Sequence, residues 1–474
     1  MKKKLIYISL MAAGVMMAAG CAKESLPEAP AESKETAPAN QVTFYASLPG
    51  QTKTAVDTSD NTKINWTAGD KINIFYEDGS KPAFTLSSDA GKASASFTGT
   101  APEGKTALCA LYPYNSGASN NAGTITTSVP NVQTVPAGSF APSAALMVGL
   151  VSGSEITFRN AVAFLKITAP EDVNNLSSIT ITTNNRAKMT GGANFSAIDG
   201  AYSSTGTAYS YVTVKPEGGT FTAGAVYYAA VIPGTYSGLT ISYLYKDNTT
   251  HRATEKSKSS STALTMAAGH TKLISAVDMS SGNVTTRTAV QLRSSSPYYA
   301  EFNIGATITS YENATGYATS TVGGWYSYKG IQDRHSTNQR NPNATSDTAT
   351  YFWGGNWCTP NWDQLWNELR NWGGYAWTSC DGSTTQYATG CTIKGWKVTG
   401  KDDYASNSIF LPAAGYRKEN GKYYENGQGG KYSSTSLHSS SEVTNMDFLY
   451  NESFKGKYSS TGWGLSVRAI LANP

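Results

Sequence analysis

The sequence predicts a mainly β protein with two consecutive β-sandwiches followed by an α+β domain. Between residues 42 and 278, short alternating or β-branched runs are separated by Gly, Asn, Asp and Pro clusters, and helical periodicity is nearly absent. Charged residues make up 15% of the 474 residues, below the roughly 25% usual for soluble domains. Nine of the ten tryptophans lie between Trp325 and Trp463, which marks a separate C-terminal domain.

The N-terminus has the pattern of a bacterial lipoprotein signal. Three lysines at positions 2–4 precede an apolar run over 5–17, and the small residues 18–20 lead into Cys21. This pattern predicts removal of residues 1–20 and acylation of Cys21. Residues 21–41 have no apolar periodicity and read as a flexible tether. We therefore expect a protein of the outer membrane, held by lipid and exposed at the cell surface, with the periplasmic face as the alternative.

Ten runs before residue 278 are strand candidates, and they divide into two groups near residue 162. We expect sandwiches over 42–162 and 163–278, a polar linker over 279–290, and the last domain over 291–474. The candidate strands cover residues 42–46, 71–76, 93–97, 108–112, 155–158, 163–168, 177–182, 209–214, 226–232 and 239–245.

Several motifs in this half resemble the fimbrillin-like proteins of Bacteroidetes. Residues 64–75 (INWTAGDKINIF), 97–99 (FTG) and 112–114 (YPY) look like the first domain of that family. Residues 158–167 are similar to its passage between domains, and residues 227–236 resemble a strand and turn of its second domain. The resemblance implies transthyretin-like β-sandwiches and a place in or near a fimbrium.

Family members polymerise, as the resemblance implies, when a protease removes the first strand after an arginine and a neighbour's C-terminal strand fills the groove. The first arginine here is Arg159, already inside the expected fold, so only a lysine such as Lys53 could be the cleavage site. Assembly into a filament by this route is therefore not expected. A position at the tip remains open.

One helix is predicted in the C-terminal domain. Trp362, Leu365, Trp366 and Leu369 recur at helical spacing, so we expect an apolar stripe that faces the core. Thr359 can cap this helix, with Pro360 at its first position, and the glycines at 373–374 end it.

The landmarks around this helix resemble the Fibrobacter major paralogous domain, a relative of C-type-lectin-like folds. They are residues 302–306 (FNIGA), 353–360 (WGGNWCTP), 409–417 (IFLPAAGYR), 431–435 (KYSST) and 464–468 (GLSVR). The resemblance implies a C-type-lectin-like binding domain over 291–474. The acidic tripeptides of calcium-dependent lectins are missing, since residues 341–343 read Asn-Pro-Asn.

No catalytic or metal-binding pattern stands out in the sequence. The four histidines have neither triad nor metal spacing, so we expect no enzyme activity, cofactor or metal. Of the cysteines other than Cys21, Cys109 reads as buried, and Cys380 with Cys391 is the first candidate for a disulfide. A bridge from Cys358 to Cys391 is the alternative.

Two functions fit these observations. The first is a non-catalytic adhesin or fimbria-associated protein whose C-terminal domain binds an extracellular ligand, a glycan or a host or bacterial surface protein, with fimbrial subunits as further partners. The second is a surface lipoprotein that captures glycan for a polysaccharide-import system. Nucleic acid is not an expected partner, because the net charge of +4 is small and dispersed. The candidate stacking residues are Trp325, Trp372, Trp377, Trp396, Tyr423, Tyr424 and Trp463.

Overall fold

Strands dominate the part of the chain that the structure, a computed structural model, describes. The described residues are 40–48, 65–307, 323–326, 348–370, 376–381, 393–449 and 454–472. Several sequence predictions concern residues outside these ranges. They are the predictions for the signal peptide 1–20, the tether up to residue 39 with Cys21, Lys53, Trp372, Cys391 and the side chains of Trp377 and Cys380. The element order confirms the prediction of a mainly β protein. No helix in the described ranges has the length and apolar character to cross a membrane.

The first group of strands forms a barrel. The strands before residue 162 are β1 (Gln41–Ser47), β2 (Lys71–Tyr76), β3 (Ala83–Ser88), β4 (Ser94–Thr100), β5 (Ala107–Tyr112), β6 (Ser119–Asn121), β7 (Thr124–Val129), β8 (Val132–Val135), β9 (Met147–Ser152) and β10 (Glu155–Asn160). Seven of them close in the order β1-β10-β9-β5-β2-β3-β4, because β1 pairs with both β4 and β10. Inside, Trp66 makes edge-to-face contacts with Phe97, Tyr112 and Phe158, with centroids 4.9, 5.1 and 5.7 Å apart.

The second group surrounds the largest apolar core. Its strands are β11 (Ala163–Thr168), β12 (Leu176–Thr183), β13 (Thr190–Ser196), β14 (Tyr202–Tyr209), β15 (Tyr211–Pro216), β16 (Val226–Val231), β17 (Gly234–Asp247), β18 (Arg252–Met266), β19 (Thr271–Ile274), β20 (Val284–Gln291) and β21 (Tyr298–Ala300). A three-stranded sheet, β16-β11-β19, and a four-stranded sheet, β14-β13-β7-β6, pack with part of a nine-stranded sheet. Because β7 pairs with β13 and β8 with β15, strand pairing crosses the predicted boundary at residue 162.

The predicted linker over 279–290 is wrong for residues 284–290. These residues belong to β20, which pairs with β18 on one side and β21 on the other. Ala289 and Val290 are fully buried, whereas Thr285 and Thr286 are exposed. The run resembled a linker in the sequence because it is rich in threonine. The hydroxyl side chains of these threonines lie on a polar face of the sheet and not in an apolar core.

The C-terminal region consists of short strands. They are β22 (Trp357–Cys358), β23 (Ala376–Asp381), β24 (Lys394–Thr399), β25 (Ser408–Pro412), β26 (Tyr416–Arg417), β27 (Tyr423–Tyr424), β28 (Gly429–Ser439), β29 (Glu442–Leu449), β30 (Lys455–Ser460) and β31 (Ile470–Leu471). They form the sheets β23-β24-β25, β26-β27 and β28-β29-β30, while β22 and β31 join the nine-stranded sheet. Its order is β22-β31-β21-β20-β18-β17-β12-β15-β8. One sheet thus continues from the second group into the C-terminal region.

Helical segments are few and short in the described ranges. An α-helix spans Thr348–Trp353, 3₁₀ turns span Pro142–Ala144 and Asp402–Tyr404, and a π-helix spans Asp363–Glu368. The π-helix lies where one helix was predicted, and it buries Leu365 and Leu369 fully, as expected. The capping prediction for Thr359 is wrong, because the helix begins later, after Trp362, with no side-chain cap.

Candidate functional site

Two of the predicted stacking residues, Trp325 and Trp396, pack against the protein interior, one fully and one partly buried. Trp325 is only 1% exposed, and its Nε1–H donates to the carbonyl oxygens of Ala414 and Gly415 at 3.1 and 3.2 Å. Trp396 is half-buried, packs on Phe454 and donates to the Leu449 carbonyl at 3.3 Å. Because Trp325 is buried, its ring cannot stack on a ligand, and the prediction that it is a stacking residue is wrong. Trp396 packs chiefly against the core of the C-terminal region.

Two other predicted residues lie against the buried ring of Tyr416. Tyr424 and Trp463 stack on it, with centroids 5.4 and 5.1 Å away, and Lys418 Nζ lies 4.3 Å from the Tyr424 centroid. Tyr423 instead contacts the ring of Trp325, with centroids 5.6 Å apart, and is 39% exposed. The cluster thus uses most of its ring faces internally.

Burial raises the pKa of Tyr416, and the nearby negative charges of Glu425 and Asp447 raise it further. Lys431 Nζ lies 4.8 Å from the Tyr416 centroid, and its buried ammonium pairs with Asp447 at 2.5 Å. The phenol therefore stays neutral at physiological pH. The ion pair near it is largely buried, and the exposed Lys457 also lies 3.2 Å from Asp447. The residues around Tyr416 are therefore arranged to stabilise the fold.

A cleft lined largely by aromatic side chains lies elsewhere in the C-terminal region, and we call it the aromatic cleft. It has a volume of about 410 Å³ and lies between the π-helix and the sheet β28-β29-β30. Its lining residues are Trp362, Trp366, Leu437, His438, Thr444, Gly456 and Tyr458.

One wall of the aromatic cleft is a column of stacked side chains on the π-helix. The rings of Trp362 and Trp366 are parallel, with centroids 5.0 Å apart and planes 9° apart. The guanidinium of Arg370 lies 4.3 Å from the Trp366 centroid and extends the column. Both tryptophans are half-buried. Trp366 also packs against the core of the C-terminal region, so the expectation that the stripe faces the core holds in part for Trp366 and is wrong for Trp362. Arg370 follows Trp366 by four residues, as Trp366 follows Trp362. A charged residue at this spacing was the sequence signal that this face of the helix meets solvent.

The opposite wall comes from the sheet. The imidazole of His438 stacks on the ring of Tyr458, with centroids 3.6 Å and planes 13° apart. Tyr458 is 54% exposed, and Leu437 beside it is 47% exposed. Neither His438 nor Tyr458 was a sequence candidate, because an isolated His or Tyr in a polar strand carries no distinguishing pattern.

Gly456 determines how closely the two walls approach. A Cβ at this position would lie 2.9 Å from the Trp362 ring, closer than real side chains allow. The glycine therefore lets the edge of Trp362 rest directly on β30. The cleft is thus a preformed surface with a stacked pair of rings on either side, in which the ring of Tyr458 is 54% exposed.

The described residues contain no group of His, Cys, Asp and Glu side chains that could hold a metal ion. Cys109 is a free and buried thiol, and burial raises its pKa to about 12, so this thiol stays protonated.

Comparisons with known proteins give little beyond this geometry. No protein-family model matches the chain, and no curated protein matches it. Among solved structures, the chain is similar to a crystal structure of a proposed cell adhesion protein from Bacteroides ovatus, with 13% identity and a TM-score of 0.33. The match covers 52% of this chain and 94% of that one.

Proposed function

We propose that this protein is a non-catalytic surface adhesin that binds an extracellular glycan in the aromatic cleft, without a metal ion. The observation that carries the proposal is the pair of facing aromatic walls, Trp362 with Trp366 and His438 with Tyr458. Sugars have flat C–H faces that stack on such rings, and their hydroxyls suit neighbouring polar groups.

Hydrogen bonds within the protein hold the cleft in place. The hydroxyl of Thr444, which is 9% exposed, donates to the Ser436 carbonyl at 2.9 Å and lies 2.5 Å from Ser434 Oγ. The backbone N–H of Trp362 donates to Ser436 Oγ at 3.0 Å, which ties the helix wall to the sheet. Both walls are therefore held before a ligand arrives, and little conformational entropy would be lost on binding.

The predicted lipoprotein signal supports attachment to the outer membrane, and the pairing of β31 supports a position at the tip of any fimbrium. Acylated Cys21 would hold the chain at the outer membrane, with residues 21–41 as the tether. β31 pairs with β21 on one side and β22 on the other, and Ile470 and Leu471 are fully buried. A strand paired on both sides cannot be donated to a neighbouring subunit. In a fimbrium, the protein would therefore stand at the tip.

A glycan array tests this proposal. The full-length protein in detergent would be applied to the array with and without EDTA. We expect binding to at least one glycan, with equal strength in both conditions. The absence of any bound glycan, or loss of binding in EDTA, would contradict the proposal.

A further inference from the structure

A second cleft lies where the C-terminal region covers the nine-stranded sheet, and we call it the basic cleft. Its volume is about 310 Å³, at the lower end of the roughly 300–1,000 Å³ usual for small-molecule sites. The floor is the polar face of β12, β17, β18 and β20, and the roof is the helix Thr348–Trp353 with Gly354. No residue of this cleft was a sequence candidate.

The floor is made of hydroxyl side chains in register. Ser257 on β18 pairs with Thr285 on β20, and both line the cleft. A second row pairs Thr182 with Thr240 and Thr240 with Ser259. Eight of the lining residues are Ser or Thr. Such a surface can donate and accept hydrogen bonds at many points, as a polyhydroxylated ligand requires.

Among the described residues, the charged side chains that line the basic cleft are the cations Arg186, Lys188 and Arg287. Glu255 lies beneath Arg287 and pairs with it at 2.9 Å, but its own side chain is fully buried. Within this described set, three cations and one carboxylate leave a formal excess of two positive charges. Burial lowers the pKa of Lys188 and of Arg186, so an anion placed between them would restore part of the lost solvation.

Aromatic rings of the roof fix two of these cations. The guanidinium of Arg186 lies 3.2 Å from the Tyr351 centroid and donates to its hydroxyl. The guanidinium of Arg287 lies 5.2 Å from the Trp353 centroid, and its Nη1 donates to Glu255. A planar guanidinium held in this way keeps N–H groups at its edge that match a carboxylate or a sulfate.

We propose that the basic cleft binds an acidic sugar, with the carboxylate or sulfate group on Arg186, Lys188 and Arg287 and the sugar hydroxyls on the Ser and Thr floor. The size, the net positive charge and the dense hydroxyl lining together favour this class over a neutral sugar or a bare apolar ligand. The site is separate from the aromatic cleft and does not depend on it.

Calorimetric titration of the full-length protein in detergent with three disaccharides tests the proposal. The probes are a galacturonate disaccharide, a galactose disaccharide sulfated at one 6-hydroxyl, and the uncharged galactose disaccharide. We expect an anionic probe to bind about tenfold more tightly than the uncharged one, and more weakly as ionic strength rises. Binding of one anionic probe alone would assign the group as carboxylate or sulfate.

The variants Lys188→Gln and Arg186→Gln each remove one cation, and we expect each to weaken anionic binding about tenfold. Lys272→Gln, on exposed β19, is the matched control and should bind as the wild type does. Equal affinity for the uncharged probe, or wild-type affinity in both cation variants, would overturn the proposal.

Discussion

The side-chain amide of Asn356 donates a hydrogen bond from Nδ2 to Oε2 of Glu255, 2.8 Å away and 101 residues earlier in the chain. The other oxygen of Glu255 accepts from Arg287 at 2.9 Å, and Asn356 Oδ1 accepts from Thr180 at 2.7 Å. Glu255 and Asn356 are both buried between the nine-stranded sheet and the turn before β22. A satisfied polar network therefore holds the C-terminal region on the sheet.

Replacing Asn356 with Ala should destabilise the protein by about 1–3 kcal/mol, because Glu255 then keeps a buried acceptor without its donor. Denaturant unfolding measures the change. Asn420→Ala is the control, since Asn420 is exposed and its bond to the Tyr424 hydroxyl is long, at 3.3 Å. That control should stay within about 0.5 kcal/mol of the wild type. Equal losses in the two variants would contradict the role given to Asn356.

Gly355 should not tolerate a side chain. A Cβ there would lie 2.1 Å from Cδ2 of Tyr211, a ring that is 6% exposed on the sheet. We expect Gly355→Ala to cost about 1–3 kcal/mol by overpacking and Gly117→Ala, at an exposed turn, to cost far less. Tyr211→Ala should cancel part of the Gly355→Ala effect in the double variant. Simple additivity of the two losses would exclude the proposed contact.

Lys246 should make stability depend on pH above neutrality. Burial, together with the nearby charge of Lys215, lowers the pKa of Lys246 to about 8. Since the pKa of an unfolded lysine is about 10.4, the unfolded chain binds more protons between these values, and the free energy of unfolding rises with pH from about 8 to 10. Denaturant unfolding across this range should show a smaller rise in Lys246→Gln and an unchanged rise in Lys272→Gln. An identical pH slope in Lys246→Gln would show that another group is responsible.

Cys21 should determine whether the protein is anchored to the membrane. We expect the mature protein to partition into detergent with the membrane fraction, and Cys21→Ser to release it or to leave the precursor uncleaved. Phase partitioning followed by immunoblotting measures this, with Cys109→Ser as the matched control. Membrane partitioning of Cys21→Ser equal to that of the wild type would rule out the lipid anchor.

The sequence predicted strands well where one face is apolar. Nine of the ten strand candidates overlap one observed strand each, and Lys71–Tyr76 and Ala163–Thr168 match residue for residue. The candidate 209–214 spans the end of β14 and the start of β15. The strands that the sequence missed include β18 and β20, whose Ser, Thr and Lys residues line a polar face that another part of the chain covers. Alternation of apolar and polar residues cannot reveal such a face. A polar face has the same sequence pattern whether it is covered by another part of the chain or exposed to solvent.

Candidate site residues were harder to predict than strands. Tryptophan is buried or exposed according to which side of an element it occupies, and a π-helix turns its side chains differently from the α-helix that the spacing suggested. Trp362 and Trp366 therefore reach the surface, while Trp325 is enclosed by the loop at Ala414 and Gly415. Long-range contacts of this kind leave no local pattern in the sequence.

Tyr458 gives the most direct test of glycan binding in the aromatic cleft. It is 54% exposed, so Tyr458→Ala should leave the free energy of unfolding within about 0.5 kcal/mol of the wild type. Tyr45 on the barrel is 51% exposed and provides a matched control. For a glycan identified on the array, the dissociation constant should rise about tenfold or more in Tyr458→Ala and stay unchanged in Tyr45→Ala. An unchanged dissociation constant in Tyr458→Ala would contradict the account.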